Sequence, residues 1–250
     1  MAGGAHEEAH GPMHQFELTR KVPLELFGYD VSFTNSSLWM VIAVIAASAF
    51  LIFSMRGRSL VPTRMQSMAE VFYEFLAKTV RDVCGPEGMK YFPFVFSIFI
   101  FVFFANVLGL LPGSFTTTSH ISVTFALALL VFVVVTFIGF QKQGFGFLKM
   151  FVPEGVPLLL VPLIVLIEVI SYFMRPISLS VRLFANMLAG HILLKVFAGF
   201  VIGLGVVGGW APLAFMVGFT GFELGIAALQ AFIFALLTCI YLNDALHSHH

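Results

Sequence analysis

The sequence contains little charge: 13 Lys and Arg and 13 Asp and Glu occur among 250 residues, which is 10%. Soluble domains carry about 25% charged residues, so this scarcity excludes an ordinary soluble domain. The formal net charge is zero, and without a basic excess nucleic acid is not expected as a partner. Because 59% of the residues are hydrophobic and the mean hydropathy is +0.99, we predict an integral membrane protein.

Cysteines and nucleotide-binding motifs are equally scarce. The two cysteines, Cys84 and Cys239, lie far apart and form no CxxC motif, so neither a disulfide framework nor a metal site is expected. No phosphate-binding P-loop occurs, so nucleotide chemistry is not expected in this chain. We therefore predict no cofactor, no metal and no catalytic residue.

The distribution of charge divides the chain into a polar N-terminal segment, residues 1–33, and a single membrane domain, residues 34–250. Three stretches almost free of charge, at about 36–55, 91–112 and 120–140, are long enough to cross a bilayer at about 1.5 Å per residue. The first is predicted to be a single span, and the other two a transmembrane hairpin with a turn at "LLPGSFTTTSH". In that turn His120 is predicted to be an exposed loop residue.

A different pattern occupies residues of about 63–84. Apolar side chains recur there at steps of three and four, while a ladder of charged residues runs along the helix at steps of four: Glu70, Glu74, Lys78 and Asp82. Thr63 with Gln66 has the spacing of a capping box, and Gly85 followed by Pro86 is a stop signal. We predict an amphipathic helix lying at the membrane interface.

The remaining apolar segments, at about 156–196 and 211–245, are too long for simple perpendicular spans. A helix of about 40 residues is roughly 60 Å long, twice the thickness of the hydrocarbon layer. It must tilt strongly, bend or break, and Pro162 and Pro176 permit bends. The predicted fold class is therefore an all-α integral membrane protein with one N-terminal span, an interfacial helix, a transmembrane hairpin and a hairpin of two long, strongly tilted helices.

Basic residues between the spans predict the orientation. They lie in the connection after the first span and in the connection after the hairpin: Arg56, Arg58, Arg64, Lys142 and Lys149. By the positive-inside rule these connections are cytoplasmic. We therefore expect a periplasmic N-terminus and a cytoplasmic C-terminus.

Polar residues inside the two long segments carry the functional argument, because ionisable groups at membrane depth are costly and typically line ion paths. At about 100° per residue, Glu168, Ser171, Arg175, Ser178, Arg182 and Asn186 share one polar face, whereas His191 points to the opposite side. On the last segment Glu223 and Gln230 are seven residues apart and share a face.

Two structural alternatives are ion pairs, Glu168 with Arg175 and His191 with Glu223. They leave Arg182 unexplained, because no acidic residue lies near it on its own segment and the facing segment offers Gln230. An unpaired buried charge is very costly unless a partner supplies its counter-ion. Two other classes are a secondary transporter, for which internal repeats are typical, and a membrane anchor, which needs no polar groups at one depth. The sequence shows no repeat.

Several stretches resemble one known family. "SLSVRLFANMLAGH" and "ELGIAALQAFIFALLTCIYL", together with "FFANVLGLLPG" and "PMHQFEL", closely resemble the a subunits of F-type ATP synthases. The order of His191 before Glu223 is similar to that of the alphaproteobacterial and mitochondrial branch. The resemblance implies a non-catalytic stator subunit in the bacterial inner membrane, beside a rotary ring of c subunits.

The resemblance also implies roles for individual residues. The essential arginine of the family corresponds to Arg182, its polar neighbours to Asn186 and Gln230, the acid on the cytoplasmic side to Glu168, and the histidine–acid pair to His191 and Glu223. Ser171 and Ser178 share the polar face and are candidate lining residues. Two offset half-channels at the c ring are then expected to couple proton translocation to rotation through Arg182. The implied partners are the c ring, the b and b′ stalk subunits, the F1 sector indirectly, and membrane lipid.

Overall fold

The structure is a computed structural model that describes residues 20–22, 25–26, 29–30, 33–56, 62–111, 114–152, 157 and 160–246. Arg58, the motif at residues 12–18, residue 156 and the terminal residues 247–250 lie outside this description. Within it, five helical segments are long and apolar enough to cross a membrane. The predicted all-α membrane architecture is confirmed.

The polar N-terminal segment contains four short strands that the sequence did not predict: β1 (Arg20–Val22), β2 (Glu25–Leu26), β3 (Tyr29–Asp30) and β4 (Phe33–Thr34). β1 pairs with β4 and β2 pairs with β3, both antiparallel. The pair formed by β1 and β4 ends directly before the first helix, which begins at Asn35.

The first span is helix α1, Asn35–Met55, which agrees with the predicted 36–55. Its N-cap is Thr34, whose side chain accepts a hydrogen bond from the backbone N–H of Ser37 at 3.4 Å. The uncharged run ends at Arg56. Length, capping and composition therefore agree in defining this span.

Helix α2, Arg64–Gly88, corresponds to the predicted amphipathic helix at 63–84. Thr63 accepts a hydrogen bond from the Gln66 N–H, but the Gln66 side chain bonds to Glu70 at 2.7 Å instead of returning to Thr63. Only half of the predicted capping box is therefore formed. The helix breaks at Gly85, as its Gly-Pro sequence predicts, with φ at 67°, a conformation that favours glycine. Its position at the membrane interface stays a prediction.

The predicted hairpin is formed by α3, Phe92–Gly109, and α4, Ile121–Gln143. A 3₁₀ turn at Met89–Tyr91 joins α2 to α3, and another at Thr117–Ser119 precedes α4. A third 3₁₀ segment, Gly144–Phe151, follows α4. Helices α3 and α4 begin and end within a few residues of the predicted spans 91–112 and 120–140, and the spans themselves stay predictions.

The two long helices are α5, Val161–Gly203, and α7, Trp210–Leu246, with the short helix α6, Gly205–Gly208, between them. α5 has 43 residues and continues through Pro176. At about 1.5 Å per residue it is roughly 64 Å long, so it is too long to stand upright within a hydrocarbon layer of about 30 Å. The direction and degree of tilt stay predictions.

Helix α7 lies at the centre of the bundle, in contact with α2, α3, α4 and α5. Its packing face includes three small residues: Ala227, Ala231 and Ala235 are fully buried and allow neighbouring helices to approach closely. Across the contact with α2, the buried Cys84 thiol donates to the Cys239 carbonyl oxygen at 3.1 Å. Large apolar side chains on the outer helix faces remain exposed, as expected for a surface that contacts lipid.

Candidate functional site

The polar face of α5 is exposed. Ser171, Ser178, Arg182 and Asn186 are exposed and Glu168 is partly exposed, whereas Leu179, Leu183 and Met187 on the other side are buried against the bundle. The periodicity of the sequence therefore identified the face correctly. α5 presents to the outside a polar stripe, which we define as Glu168, Ser171, Ser178, Arg182 and Asn186.

Arg182 lies in the middle of this polar stripe. Within the described part of the chain no ion pair joins it to an acidic side chain. The arrangement agrees with the expectation that a counter-ion for Arg182 must come from outside this chain.

One turn beyond Arg182, a direct hydrogen bond joins the two long helices. The Asn186 side-chain Nδ2 donates to Gln230 Oε1 at 2.8 Å. Gln230 is buried, and its Nε2 makes no hydrogen bond within the described structure. The structure thus brings together two residues that the resemblance placed beside the arginine.

Arg175, two turns before Arg182, has a counter-ion. Its Nη1 donates to Asp244 Oδ2 at 2.8 Å, and the guanidinium lies 5.4 Å from the ring centre of Tyr172 and 5.1 Å from that of Tyr241. The alternative that paired Arg175 with Glu168 is therefore wrong. Glu168 and Arg175 lie on one helix, but the crossing of α7 brings Asp244 into hydrogen-bonding distance.

His191 is buried on the side of α5 opposite the polar stripe, as its angular position predicted. Its Nε2 lies 2.8 Å from Thr116 Oγ1, in the turn between α3 and α4. The same hydroxyl lies 3.0 Å from the carbonyl oxygen of Gly109 at the end of α3. A histidine on α5 is thus tied to the hairpin by a buried hydroxyl.

Glu223 on α7 is 1% exposed, and neither carboxyl oxygen makes a hydrogen bond within the described structure. It lies against Gly190: a Cβ added there would overlap Glu223 Oε1 and lie 2.8 Å from Cδ. Because Gly190 precedes His191, the two helices bring the acid and the histidine into one region. A direct contact between His191 and Glu223 stays a prediction.

Sequence reasoning missed the turn between α3 and α4. The sequence predicts only a turn at residues 114–119, but all six side chains are buried. His120 is partly buried and its ring stacks on Phe115 with centres 5.0 Å apart, so the prediction of an exposed loop histidine is wrong. Burial lowers the pKa of His120. The signal was the run of hydroxyls in "SFTTTS", which an exposed turn does not require.

Metal-binding geometry is absent from the part of the chain described: no group of three or more His, Cys, Asp or Glu side chains is placed to hold an ion. The polar groups of α5 and α7 instead form two separate regions. One is the exposed polar stripe, and the other is the buried region around His191 and Glu223. Such an arrangement can hold and exchange protons on two sides of a helix.

Comparison with known proteins finds one family and several relatives that match this chain over nearly its full length. The sequence profile of the family described as ATP synthase A chain matches residues 37–243. ATP synthase subunit a of Chelativorans sp. (strain BNC1) is 62% identical over 248 residues, covering 97% of this chain and 100% of that protein. The subunit a of Mesorhizobium japonicum is 59% identical over 96% of this chain and 97% of its own, and that of Parvibaculum lavamentivorans is 56% identical over the full length of both.

Proposed function

Because this chain belongs to the ATP synthase A chain family, we propose that it conducts protons through two offset half-channels beside a ring of c subunits. Members of this family are membrane components of the Fo sector and are not catalytic alone. The multi-pass helical structure fits that role. The proposal concerns which residues of this chain carry the protons and how they couple proton movement to rotation.

Arg182 is the coupling residue. A rotor carboxylate that travels through lipid is protonated, because the charged form is too costly there. When the carboxyl group reaches Arg182, the fixed positive charge favours its ionised form and its proton leaves. Arginine suits this role because it remains charged when desolvated, whereas lysine can lose its proton. Asn186 and Gln230, hydrogen-bonded one turn away, line the same passage.

The two access routes lie on either side of Arg182. His191 and Glu223 line the route from the periplasm, in the buried region where α5 faces α7. Glu168, with Ser171 and Ser178, lines the route to the cytoplasm along the polar stripe. Separation matters because a proton moving through 100 mV is worth about 2.3 kcal/mol, which a direct leak would dissipate.

The assembly implied by the proposal places the chain in the bacterial inner membrane with a periplasmic N-terminus and a cytoplasmic C-terminus. The c ring covers the polar stripe and supplies the carboxylate that faces Arg182. The b and b′ subunits hold the chain as a stator, the F1 sector is reached through them, and lipid covers the other faces. Nucleic acid has no role.

One observation carries the proposal: Arg182 lies on an outer helix face without an acidic partner among the described residues, on a helix otherwise apolar enough to enter a membrane. A charge in that position is stable only if a partner neutralises it. A rotor carboxylate that faces Arg182 as the ring turns meets this requirement.

The test uses membrane vesicles that contain the assembled complex. In the Arg182→Ala complex we expect no ATP synthesis and no ATP-driven acidification, with increased passive proton leak, because rotor carboxylates pass the interface still protonated. Assembly should survive, since removing an unpaired charge relieves a desolvation cost. Arg175→Ala is the matched control and should be milder for coupling, since that arginine has a partner in Asp244. Normal coupled pumping by the Arg182→Ala complex would disprove the mechanism.

A further inference from the structure

The turn that precedes α4 is a buried polar segment, unlike an ordinary connection at a membrane surface. All side chains from 114 to 119 are buried, and five of the six carry hydroxyl groups: Ser114, Thr116, Thr117, Thr118 and Ser119. The segment contacts α3, α4 and α5. Buried hydroxyls need hydrogen-bond partners, so their positions are informative.

Hydrogen bonds fix this segment to both long helices. Thr118 Oγ1 donates to Asn106 Oδ1 at 2.8 Å, and Asn106 Nδ2 donates to the Ala227 carbonyl oxygen of α7 at 3.3 Å. Ala227 lies one turn after Glu223. On the other side, Thr116 Oγ1 lies 2.8 Å from His191 Nε2 of α5. The segment is thus bonded directly to His191 and, through Asn106, to the backbone of α7 one turn from Glu223.

The direction of the bond between Thr116 and His191 follows from its second partner. Thr116 Oγ1 lies 3.0 Å from the Gly109 carbonyl oxygen, which can only accept and belongs to the last turn of α3. This carbonyl also accepts from Ser114 Oγ at 2.9 Å, and its hydrogen bond with Thr116 runs from Oγ1 to the carbonyl, so the single hydroxyl proton of Thr116 points to Gly109. The lone pairs of Oγ1 are then directed toward His191, and Nε2 must carry a proton to donate to them.

The threonine has no room to turn away. A Cβ on Gly109 would lie 2.8 Å from Thr116 Cγ2 and 2.9 Å from Oγ1, so the side chain packs directly on the glycine backbone. Thr116 is 2% exposed. Packing on Gly109 restricts the side chain, and the hydroxyl proton points to the Gly109 carbonyl oxygen. Thr116 Oγ1 therefore presents a lone pair to His191.

From this geometry we infer that Thr116 is a positioning residue that holds neutral His191 in the tautomer with the proton on Nε2. This assignment rests on the proposed function, since it concerns how His191 takes part in proton transfer. Two other ionisable groups lie nearby in the fold: Lys195, one turn further along α5, and Glu223, which lies against Gly190, the residue before His191.

The experiment compares three variants of the complete complex in vesicles. Thr116→Val keeps the shape of the side chain and removes the hydroxyl, and Thr116→Ser keeps the hydroxyl. Thr124→Val is the matched control, because Thr124 is also buried and its hydroxyl bonds, among the residues the structure describes, to backbone oxygens of His120 and Ile121. Proton flux is measured for each, and ¹⁵N NMR reports the tautomer of His191, assigned with a His191→Gln sample.

We expect Thr116→Val to lower proton flux about fivefold, the loss typical of one hydrogen bond, and to produce a mixture of histidine tautomers. Thr116→Ser and Thr124→Val should retain both the flux and the single tautomer. If Thr116→Val keeps both, the inference is wrong. It is equally wrong if the serine variant loses as much flux as the valine variant, or if Thr124→Val does. Should the valine variant fail to assemble, Thr116→Ala takes its place in the same comparison.

The same vesicles separate this inference from the proposed function. If Arg182→Ala and His191→Gln abolish coupled pumping but Thr116→Val is normal in flux and tautomer, only the role of Thr116 is disproved. If Arg182→Ala and His191→Gln both pump normally, the proposed function itself is disproved.

Discussion

Arg175 and Arg182 lie seven residues apart on α5 and have opposite surroundings. Arg175 is partly buried, donates to Asp244 at 2.8 Å and lies beside the rings of Tyr172 and Tyr241. Arg182 is exposed on the polar stripe and has no acidic partner within the described part of the chain. The Arg175 guanidinium is neutralised by an acid of the same chain, whereas the Arg182 guanidinium needs a counter-ion from outside the described part of the chain.

The contrast shows that the position of an arginine on an apolar helix does not by itself indicate its role. A permanent pair satisfies the charge and joins two helices, which is a structural function. An arginine without a pair adds nothing to the folded chain that offsets its desolvation, so a partner must account for it. The same comparison holds for the acids of α7, because Asp244 is paired and Glu223 is buried without a hydrogen bond.

The largest difference between two variants is expected when each arginine is replaced by lysine. Arg182→Lys should lower ATP synthesis about 100-fold or more, since a compact ammonium can lose its proton when desolvated and cannot maintain the block between the routes. Arg175→Lys should retain most activity, because a lysine can still pair with Asp244. ATP synthesis by energised vesicles measures both. Equal activity in the two variants would remove the distinction between the arginines.

A second, smaller contrast is expected between the two acids of α7. Glu223→Gln should reduce proton flux about 100-fold while leaving the complex at least as stable, because it removes a proton carrier and an unsatisfied buried carboxylate. Asp244→Asn should lower stability by about 1–2 kcal/mol, since Arg175 loses its charged partner, while flux in each assembled complex persists. Proton flux and the thermal unfolding midpoint of the purified complex report the two effects separately.

Glu74→Gln provides the control for this contrast, because Glu74 is an exposed acid on α2. It should change neither flux nor stability measurably. The comparison of the acids fails if Asp244→Asn abolishes flux with normal stability, or if Glu223→Gln keeps full flux.

The smallest effect on activity is expected from Lys142→Cys. This substitution tests which of the two arginines lies nearer the cytoplasm. Lys142 and Glu87 form an exposed ion pair at 3.3 Å, and such pairs contribute about 0–1 kcal/mol, so activity should be almost unchanged. The new cysteine should react with a membrane-impermeant thiol reagent added from the cytoplasmic side only. Labelling from the periplasmic side would reverse the proposed orientation and with it the assignment of Glu168 to the exit route.

Sequence periodicity predicted those parts of the molecule that depend on one helix at a time. The spans followed from uncharged runs, and the polar stripe followed from the angle between residues on α5. α5 continues to Gly203, beyond the predicted end at 196, because the residues that follow are uncharged and contain no proline. The bond between Asn186 and Gln230 was anticipated only as proximity, through the family resemblance.

Contacts between distant helices were not predictable in this way. The pair of Arg175 with Asp244 joins residues 69 positions apart, and its existence depends on where α5 crosses α7. The bond between Thr116 and His191 depends on a turn folding inward, for which the hydroxyl run was only a weak signal. The short strands at residues 20–34 are also a matter of pairing, and such brief segments have no periodicity to detect.

The close contact between Gly190 and the Glu223 side chain predicts the effect of a small mutation. Alanine is a better helix former than glycine by about 1 kcal/mol, so Gly→Ala is usually a favourable substitution within a helix. At Gly218 and Gly221 an added methyl group meets nothing, and the chain itself should tolerate the change. At Gly190 the same methyl group would occupy the space of the Glu223 carboxyl group. A random mutagenesis screen should therefore find Gly190→Ala among the loss-of-function alleles, although it is one of the smallest changes that a codon can make.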